Sequence, residues 1–213
     1  MRVRALTVGP FQENCYLVGD SSTGDAVLID PGDEAERLMD ALAQDAWTLR
    51  AIWVTHGHLD HVGGIAAVKR RHDVPVYLHP ADRPLYDRAA EQGRAYGVEI
   101  EAPPAPDHGL AEGDVMTVGS LSFGVIHVPG HSPGHVAFVG HGVVFGGDCL
   151  FYGSIGRTDL PLSDPAALAR SLERFAALPD ETVVYCGHGP ATSIGAEKRS
   201  NPFLSGAARL VIR

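Results

Sequence analysis

The chain has 213 residues, 45% hydrophobic and 20% charged, with 17 Lys and Arg against 26 Asp and Glu and a formal charge of −9. This length suits one domain at ~150 residues per domain, the apolar fraction excludes a disordered chain, and the negative charge argues against a binder of nucleic-acid phosphates. No run approaches the ~18 apolar residues of a membrane span, and Gly9-Pro10 followed by Gln12-Glu13-Asn14 breaks any signal-peptide core, so a cytoplasmic protein away from membranes is expected.

Residues 3–8, 14–18 and 26–29 read as strands, the last two joined by the turn Asp20-Ser21-Ser22-Thr23-Gly24-Asp25. Asp33 with Glu36 has capping-box spacing for a helix whose apolar stripe is Leu38, Met39 and Leu42. A strand at 51–54, a helix at 64–71 carrying Ile65 and Val68, and a strand at 74–78 continue an α/β alternation. Residues 82–96 are polar and helical, and Pro103-Pro104-Ala105-Pro106 is rigid and extended. This segment is read as a surface connection, with a lid or pocket wall as the alternative. Strands return at 115–118, 121–128, 135–139 and 143–145. A helix follows, capped by Ser163 or Asp164, with Pro165 in its first turn and Leu168, Leu172 and Phe175 on one face. Residues 182–185 form the last strand. With no linker or low-complexity tract, the expectation is one α/β domain over 1–213. Cys15, Cys149 and Cys186 are odd in number and form no Cys-x-x-Cys, which fits a reducing compartment; Cys15 is read as a small buried hydrophobe.

The chain holds 11 histidines, and their placement points to metal. Thr55-His56-Gly57-His58-Leu59-Asp60-His61 directly follows the strand at 51–54 and offers four donors. Its spacing is not the His-Glu-x-x-His of a zinc-binding helix. The i, i+2 histidines are presented by a loop, with Gly57 letting the backbone turn between them. A catalytic zinc takes three protein donors and keeps one position open, so four donors here feed two metals: His56 and His58 one, Asp60 and His61 the other. The rest of the chain supplies further donors in one repeated pattern. An apolar strand ends, a glycine follows, and a donor comes next: His131 after Pro129-Gly130, Asp148 after Gly146-Gly147, His188 after Cys186-Gly187. Such strand ends can converge at one edge of an α/β sheet. His135 is read as a structural histidine bonded to backbone, with a supporting role behind the ligands as the alternative. His72, His79, His108, His127 and His141 are read as surface or structural residues.

The order His56-x-His58-x-Asp60-His61, then His131, Asp148 and His188, resembles the metallo-β-lactamase superfamily over essentially the whole chain. That resemblance implies a four-layer αβ/βα sandwich, two mixed sheets flanked by helices, with a dinuclear site at one edge. Gly156-Arg157-Thr158-Asp159-Leu160, Gly187-His188-Gly189-Pro190-Ala191-Thr192, and Glu197 followed by Asn201-Pro202-Phe203-Leu204 are similar to short bacterial hydrolases of the glyoxalase II (hydroxyacylglutathione hydrolase) group. Larger members of that group carry a C-terminal helical domain that helps hold glutathione, whereas nine residues follow Leu204 here, so recognition is expected from loops. Thr158-Asp159 stands where those enzymes show an aromatic pair, so a thiol-contacting tyrosine is missing.

The resemblance assigns His56, His58 and His131 to one metal and Asp60, His61 and His188 to the other, with Asp148 bridging. The implied cofactors are two divalent metal ions, zinc first, with iron or manganese as alternatives. The implied reaction is attack by a shared hydroxide on a thioester such as an S-acylglutathione, with Asp60 and Asp148 as catalytic carboxylates. Asp148 stands where zinc β-lactamases usually carry Cys, which points away from β-lactams. The alternatives are a persulfide dioxygenase with one iron on His56, His131 and Asp148, a lactonase, and a non-catalytic metal-binding module. Arg157 could bind a substrate carboxylate or equally pair with Asp159; Arg157, Asp159 and Tyr152 are the candidate substrate contacts. Residues 82–106 and the tail 201–204 are the other candidate pocket walls. The expected partner is a small-molecule thioester, without nucleic acid or membrane; a homo-oligomer is compatible with the sequence.

Overall fold

The computed structural model describes residues 1–208. Strands β1 (Arg2–Val8), β2 (Glu13–Gly19) and β3 (Asp25–Ile29) pair antiparallel in sequence order. Helix α1 (Ala35–Gln44) returns the chain to β4 (Thr48–Trp53), which lies parallel to β3. Helices α2 (Leu59–Val62) and α3 (Ile65–Arg71) then lead to β5 (Val76–Leu78), parallel to β4. A 3-10 turn at Pro80–Asp82, α4 (Arg83–Tyr86) and α5 (Ala89–Ala95) precede β6 (His108–Gly109), which completes the six-stranded sheet β1-β2-β3-β4-β5-β6.

The second sheet takes β7 (Val115–Val118), β8 (Leu121–His127), β9 (Val136–Gly140) and β10 (Val143–Gly147) as an antiparallel run. A hairpin of β11 (Leu150–Phe151) and β12 (Ser154–Ile155) and helix α6 (Pro165–Ala176) follow. Strand β13 (Val183–Cys186) then pairs parallel with β10, and β14 (Thr192–Ser193) and α7 (Ile194–Ser200) end the described elements. The order is β14-β13-β10-β9-β8-β7.

Strand alternation explains the layers. Val27 and Ile29 of β3 share one core with Phe123, Phe138 and Phe145 of the second sheet. Their neighbours Ala26 and Leu28 point the other way, onto Leu38 and Leu42 of α1 and Ile65 and Val68 of α3. On the far side, Val144 and Val184 pack on Leu168, Leu172 and Phe175 of α6 and Ile194 of α7. Each such large side chain contributes about 1.5–3 kcal/mol by leaving water. Helices, sheet, sheet and helices thus form the four-layer αβ/βα sandwich expected from the sequence. Among the described residues no helix is long and apolar enough to cross a membrane.

Local expectations fare unevenly. Asp164 caps α6 as read, accepting from the amides of Ala166 and Ala167. Asp33 does not cap α1. The N-cap position falls to Glu34, in left-handed backbone at φ 49 and without a side-chain cap. Asp33 instead turns onto the Glu34 amide at 2.6 Å, and Glu34 accepts from the Gly9 amide at 2.9 Å, so the capping box gives way to a tie to the β1–β2 turn.

Candidate metal centre

The donors sit beyond the carboxyl ends of β4, β8, β10 and β13, one strand from the first sheet and three from the second. The sheets are joined to each other at this edge. The Val136 amide donates to Thr55 O at 2.8 Å and the Asn14 amide to Gly187 O at 2.8 Å. The Tyr16 hydroxyl donates to Cys186 O at 2.6 Å. These bonds fix the segments before and after the donors, so the site is built on backbone already committed to the fold.

Two features differ from the sequence reading. Asp60 and His61 lie on the short helix α2, with His58 at its N-cap position, and not on an open loop. The period of four residues is too short to reveal a helix in sequence. Asp60 falls in the first turn, where a carboxylate is favoured. Gly57 is needed for close approach, not for the turn itself: a Cβ there would lie 2.8 Å from Asp82 O and 2.9 Å from the Tyr86 amide nitrogen.

The expected donors fall into two triads. His56, His58 and His131 present ring nitrogens within 4.8 Å of one another, and so do the ligand atoms of Asp60, His61 and His188. Asp148 lies between them. Its Oδ1 is 3.4 Å from His61 Nε2, and its Oδ2 is 3.4 Å from His131 Nε2 and 3.5 Å from His188 Nε2. His56 Nε2, His61 Nε2 and Asp148 Oδ1 are buried without a hydrogen-bond partner. An unsatisfied buried polar atom costs about 1–3 kcal/mol, and several aimed at one space fit a cation. Asp30 also groups with His56 and His61 within 4.8 Å. However, its oxygens already accept from the Thr55 amide at 2.7 Å and the Thr55 hydroxyl at 2.5 Å, and one lies 3.0 Å from His61 Nδ1. Asp30 is a brace for His61 and Thr55.

The charge states of His56, His58 and Asp148 suit ligation, whereas His61 must give up a proton to bind a metal. Burial, reinforced by neighbouring imidazoles, holds His56 well below the usual histidine range and brings His58 to about 3, so both stay neutral with lone pairs free. Burial would raise Asp148, but His61 and His131 outweigh it and keep the carboxyl ionised. Burial likewise works against a proton on His61, yet the Asp148 and Asp60 carboxylates lift it well above the histidine range.

Several supporting residues escaped the sequence reading. Asp82 accepts from the Gly57 amide at 2.8 Å, the Ser132 hydroxyl at 2.6 Å and the Gly134 amide at 2.5 Å. One carboxylate therefore ties the His56-to-His58 segment to the His131 loop. His135 accepts from the Asp148 amide at 3.2 Å, so its bond is to backbone, as read, but to the backbone of the residue that lies between the triads. His131 Nδ1 lies 2.9 Å from Arg157 O, which turns Nε2 towards the site. Glu13 is buried with Oε1 3.8 Å from His61 Nδ1, and burial pushes its carboxyl well up. For Asp30 a signal existed: it ends the apolar strand beside β4, as the candidate donors end theirs.

The family model described as "Metallo-beta-lactamase superfamily" matches residues 8–188. The chain belongs to this superfamily. It is 39% identical to the hydroxyacylglutathione hydrolase GloC of Haemophilus influenzae over 96% of this chain and 99% of that one. Among solved structures, TTHA1623 in a di-iron-bound form is 50% identical, with a TM-score of 0.89 over 95% of this chain and 100% of that chain. The B3 metallo-β-lactamase BLEG-1 is 40% identical, with a TM-score of 0.90 over 96% of this chain and 100% of that chain.

In this superfamily member the triads open into a cavity of about 800 Å³ bordered by His58, Asp60, His131, Asp148 and His188. Residues 82–106, read first as a surface connection, supply part of its wall: Pro84 and Leu85 of α4, Arg88, and Gln92 and Ala95 of α5, then Tyr96. Arg157 lines the cavity, but its guanidinium is paired bidentately with Asp159 at 2.8 and 2.9 Å. Asp159 and Tyr152 are not among the lining residues, and Tyr152 is exposed; it lies in the turn after β11, and its neighbour Phe151, the last residue of that strand, takes the wall. The tail 201–204 does not line the cavity either. Asn201 donates to Ser154 O at 2.9 Å and to Glu197 at 2.8 Å, bracing the β11–β12 hairpin.

Proposed function

We propose that the protein is a dinuclear metal-dependent hydrolase that cleaves a thioester, such as an S-acylglutathione or a related thiol conjugate. The observation that carries this reading is the Asp148 carboxylate set between two donor triads, 3.4 Å from His61 and His131 and 3.5 Å from His188, at the floor of a substrate-sized cavity. The likeness to GloC over nearly the whole chain supports the thioester. The ligand set suits zinc, and the di-iron form of TTHA1623 supports occupancy by two metals and makes iron the alternative.

When bound, two divalent cations supply an activated water at neutral pH and polarise the substrate carbonyl. The chain's residues do the rest. His56, His58 and His131 would hold one cation, Asp60, His61 and His188 the other, and Asp148 both. Arg157 O fixes the His131 ring, and Asp30 the His61 ring, so that each aims Nε2 inward. In the reaction the C–S bond breaks and a C–O bond forms, consuming one water and releasing a carboxylate and a thiol. A thiol near pKa ~8.5 leaves as thiolate without a strong general acid.

The test is thiol release from an S-acyl thioester by metal-loaded protein, with a lactone, a β-lactam and a persulfide run in parallel. The β-lactam arm is there because of the likeness to BLEG-1. Thiol release without oxygen supports the proposal. Oxygen uptake with the persulfide and inert thioesters would replace it with the dioxygenase.

A further inference from the structure

The cavity over the metal centre is unusual in what its cations do. Arg88 and Arg157 supply the positive side chains of its wall, and both are already closed on carboxylates. Arg88 donates from Nε and Nη2 to Glu91 at 2.8 and 2.6 Å, and Arg157 from Nε and Nη2 to Asp159 at 2.8 and 2.9 Å. Each bidentate pair takes the Nε–Nη2 edge of its guanidinium and halves the positive charge on offer, leaving only the Nη1–Nη2 edge for a substrate carboxylate. Glu91 and Asp159 would moreover repel an incoming anion.

Away from the His and Asp donors and Gln92, the rest of the wall is apolar. Phe11, Leu85, Phe151 and Leu160 line it, and Tyr96 and Leu162 stand at its mouth, each 58% exposed. Phe11 and Tyr96 meet edge to face at 5.7 Å. Leu162 adopts left-handed backbone at φ 67, a conformation disfavoured for leucine. Outliers of this kind are retained where the surroundings hold them for a use, and here the outlier places a large apolar side chain at the entrance. At about 800 Å³ the space exceeds what a short hydroxyacyl group fills.

We infer that the substrate's long arm is apolar and uncharged, so that the enzyme takes neutral acyl thioesters in preference to conjugates of a dicarboxylate thiol such as glutathione. This inference rests on the thioester reading above and narrows it. The acyl chain extends from the metal edge towards Tyr96 and Leu162, and each methylene it buries there contributes to transition-state binding.

Two readouts test it on the metal-loaded protein. The first is kcat/KM for N-acetylcysteamine thioesters of acetate, butyrate and hexanoate, against S-lactoylglutathione. The expected rise is about fourfold per buried methylene, with S-lactoylglutathione at least tenfold below the hexanoyl thioester. A flat series, or S-lactoylglutathione as the best substrate, overturns the inference while leaving a thioester hydrolase in place. The second is calorimetric binding of two stable thioethers, S-hexyl-N-acetylcysteamine and S-hexylglutathione, which share the alkyl arm and differ in charge. The neutral one is expected to bind at least tenfold tighter; equal or reversed affinities overturn the inference. Because binding needs no turnover, this arm still reads the cavity if every thioester proves inert and the hydrolase reading itself fails. Leu162→Gly relieves the backbone conformation, so its melting temperature should hold or rise while the chain-length dependence flattens. An unchanged dependence would contradict the placement of the acyl arm.

Discussion

Replacing Asp82 by Asn tests whether one buried carboxylate holds the two halves of the metal centre together. In the native protein Oδ2 accepts from the Gly57 amide at 2.8 Å and the Ser132 hydroxyl at 2.6 Å, and Oδ1 from the Gly134 amide at 2.5 Å. Burial raises the pKa of this carboxyl, and the three donors oppose that rise. An asparagine keeps one acceptor oxygen and turns an NH2 group towards at least one of these donors. One hydrogen bond to a charged acceptor is lost, at about 1.5–3 kcal/mol, and a buried amide is left unpaired at about 1–3 kcal/mol. Partial relaxation makes about 3 kcal/mol the expected loss, or roughly 6–12 °C in Tm for a chain of this size. Metal affinity should also fall about 10–100-fold, because the segments bearing His56, His58 and His131 lose their common tie. Urea unfolding of metal-free protein measures the first effect and a competitive chelator titration the second. A loss under ~1 kcal/mol with unchanged metal affinity would refute the argument that Asp82 organises the site.

Asp148→Ala removes the carboxylate between the triads; metal content should drop below two per chain, and thiol release by more than ~100-fold, since ligand loss exceeds the effect of losing an outer partner. Retention of two metals with normal turnover would sink the bridging assignment. Gly187→Ala would put a Cβ 2.1 Å from Asp148 Oδ1 and 2.8 Å from His61 Cε1, so it should weaken metal binding at least tenfold while the circular dichroism of the sheets persists; a metal-replete variant would show that the donors can shift. Asp20 accepts from the Ser120 amide and hydroxyl and from the Ser22 amide and hydroxyl, which depress its pKa. Its stabilisation is therefore complete above the unfolded value of ~3.9 and is lost as pH falls towards the lower folded value. The stability gap between native protein and Asp20→Asn should be widest near neutral pH and shrink progressively below about pH 4, with a substantial part still present at about pH 3; a gap independent of pH would contradict this.

The candidate donors could be picked out in the sequence because each follows an apolar run whose composition marks a strand: Val54 before His56, Val128 before His131, Phe145 before Asp148, Tyr185 before His188. The layer order was implied by the family resemblance alone; in the structure it rests on Val27 and Ile29 alternating with Ala26 and Leu28 onto opposite faces. What stayed hidden depends on contacts between distant segments. Asp82 reaches Gly57, 25 residues away, and Gly134, 52 residues away, and nothing in local spacing encodes that pair. The Asp148 amide reaching back 13 residues to His135 is a similar case. Elements of two to four residues, such as α2 and the β11–β12 hairpin, are too short to show a period. The hairpin then decided which of Phe151 and Tyr152 faced the cavity, so the expectation for Tyr152 failed with it.

Anomalous diffraction from crystals of the metal-loaded protein tests the proposed dinuclear centre most directly. The account predicts two peaks about 3.5–4 Å apart, one within His56, His58 and His131, the other within Asp60, His61 and His188, and Asp148 in contact with both. A single peak held by His56, His131 and Asp148, with Asp60 and His188 unengaged, would contradict it.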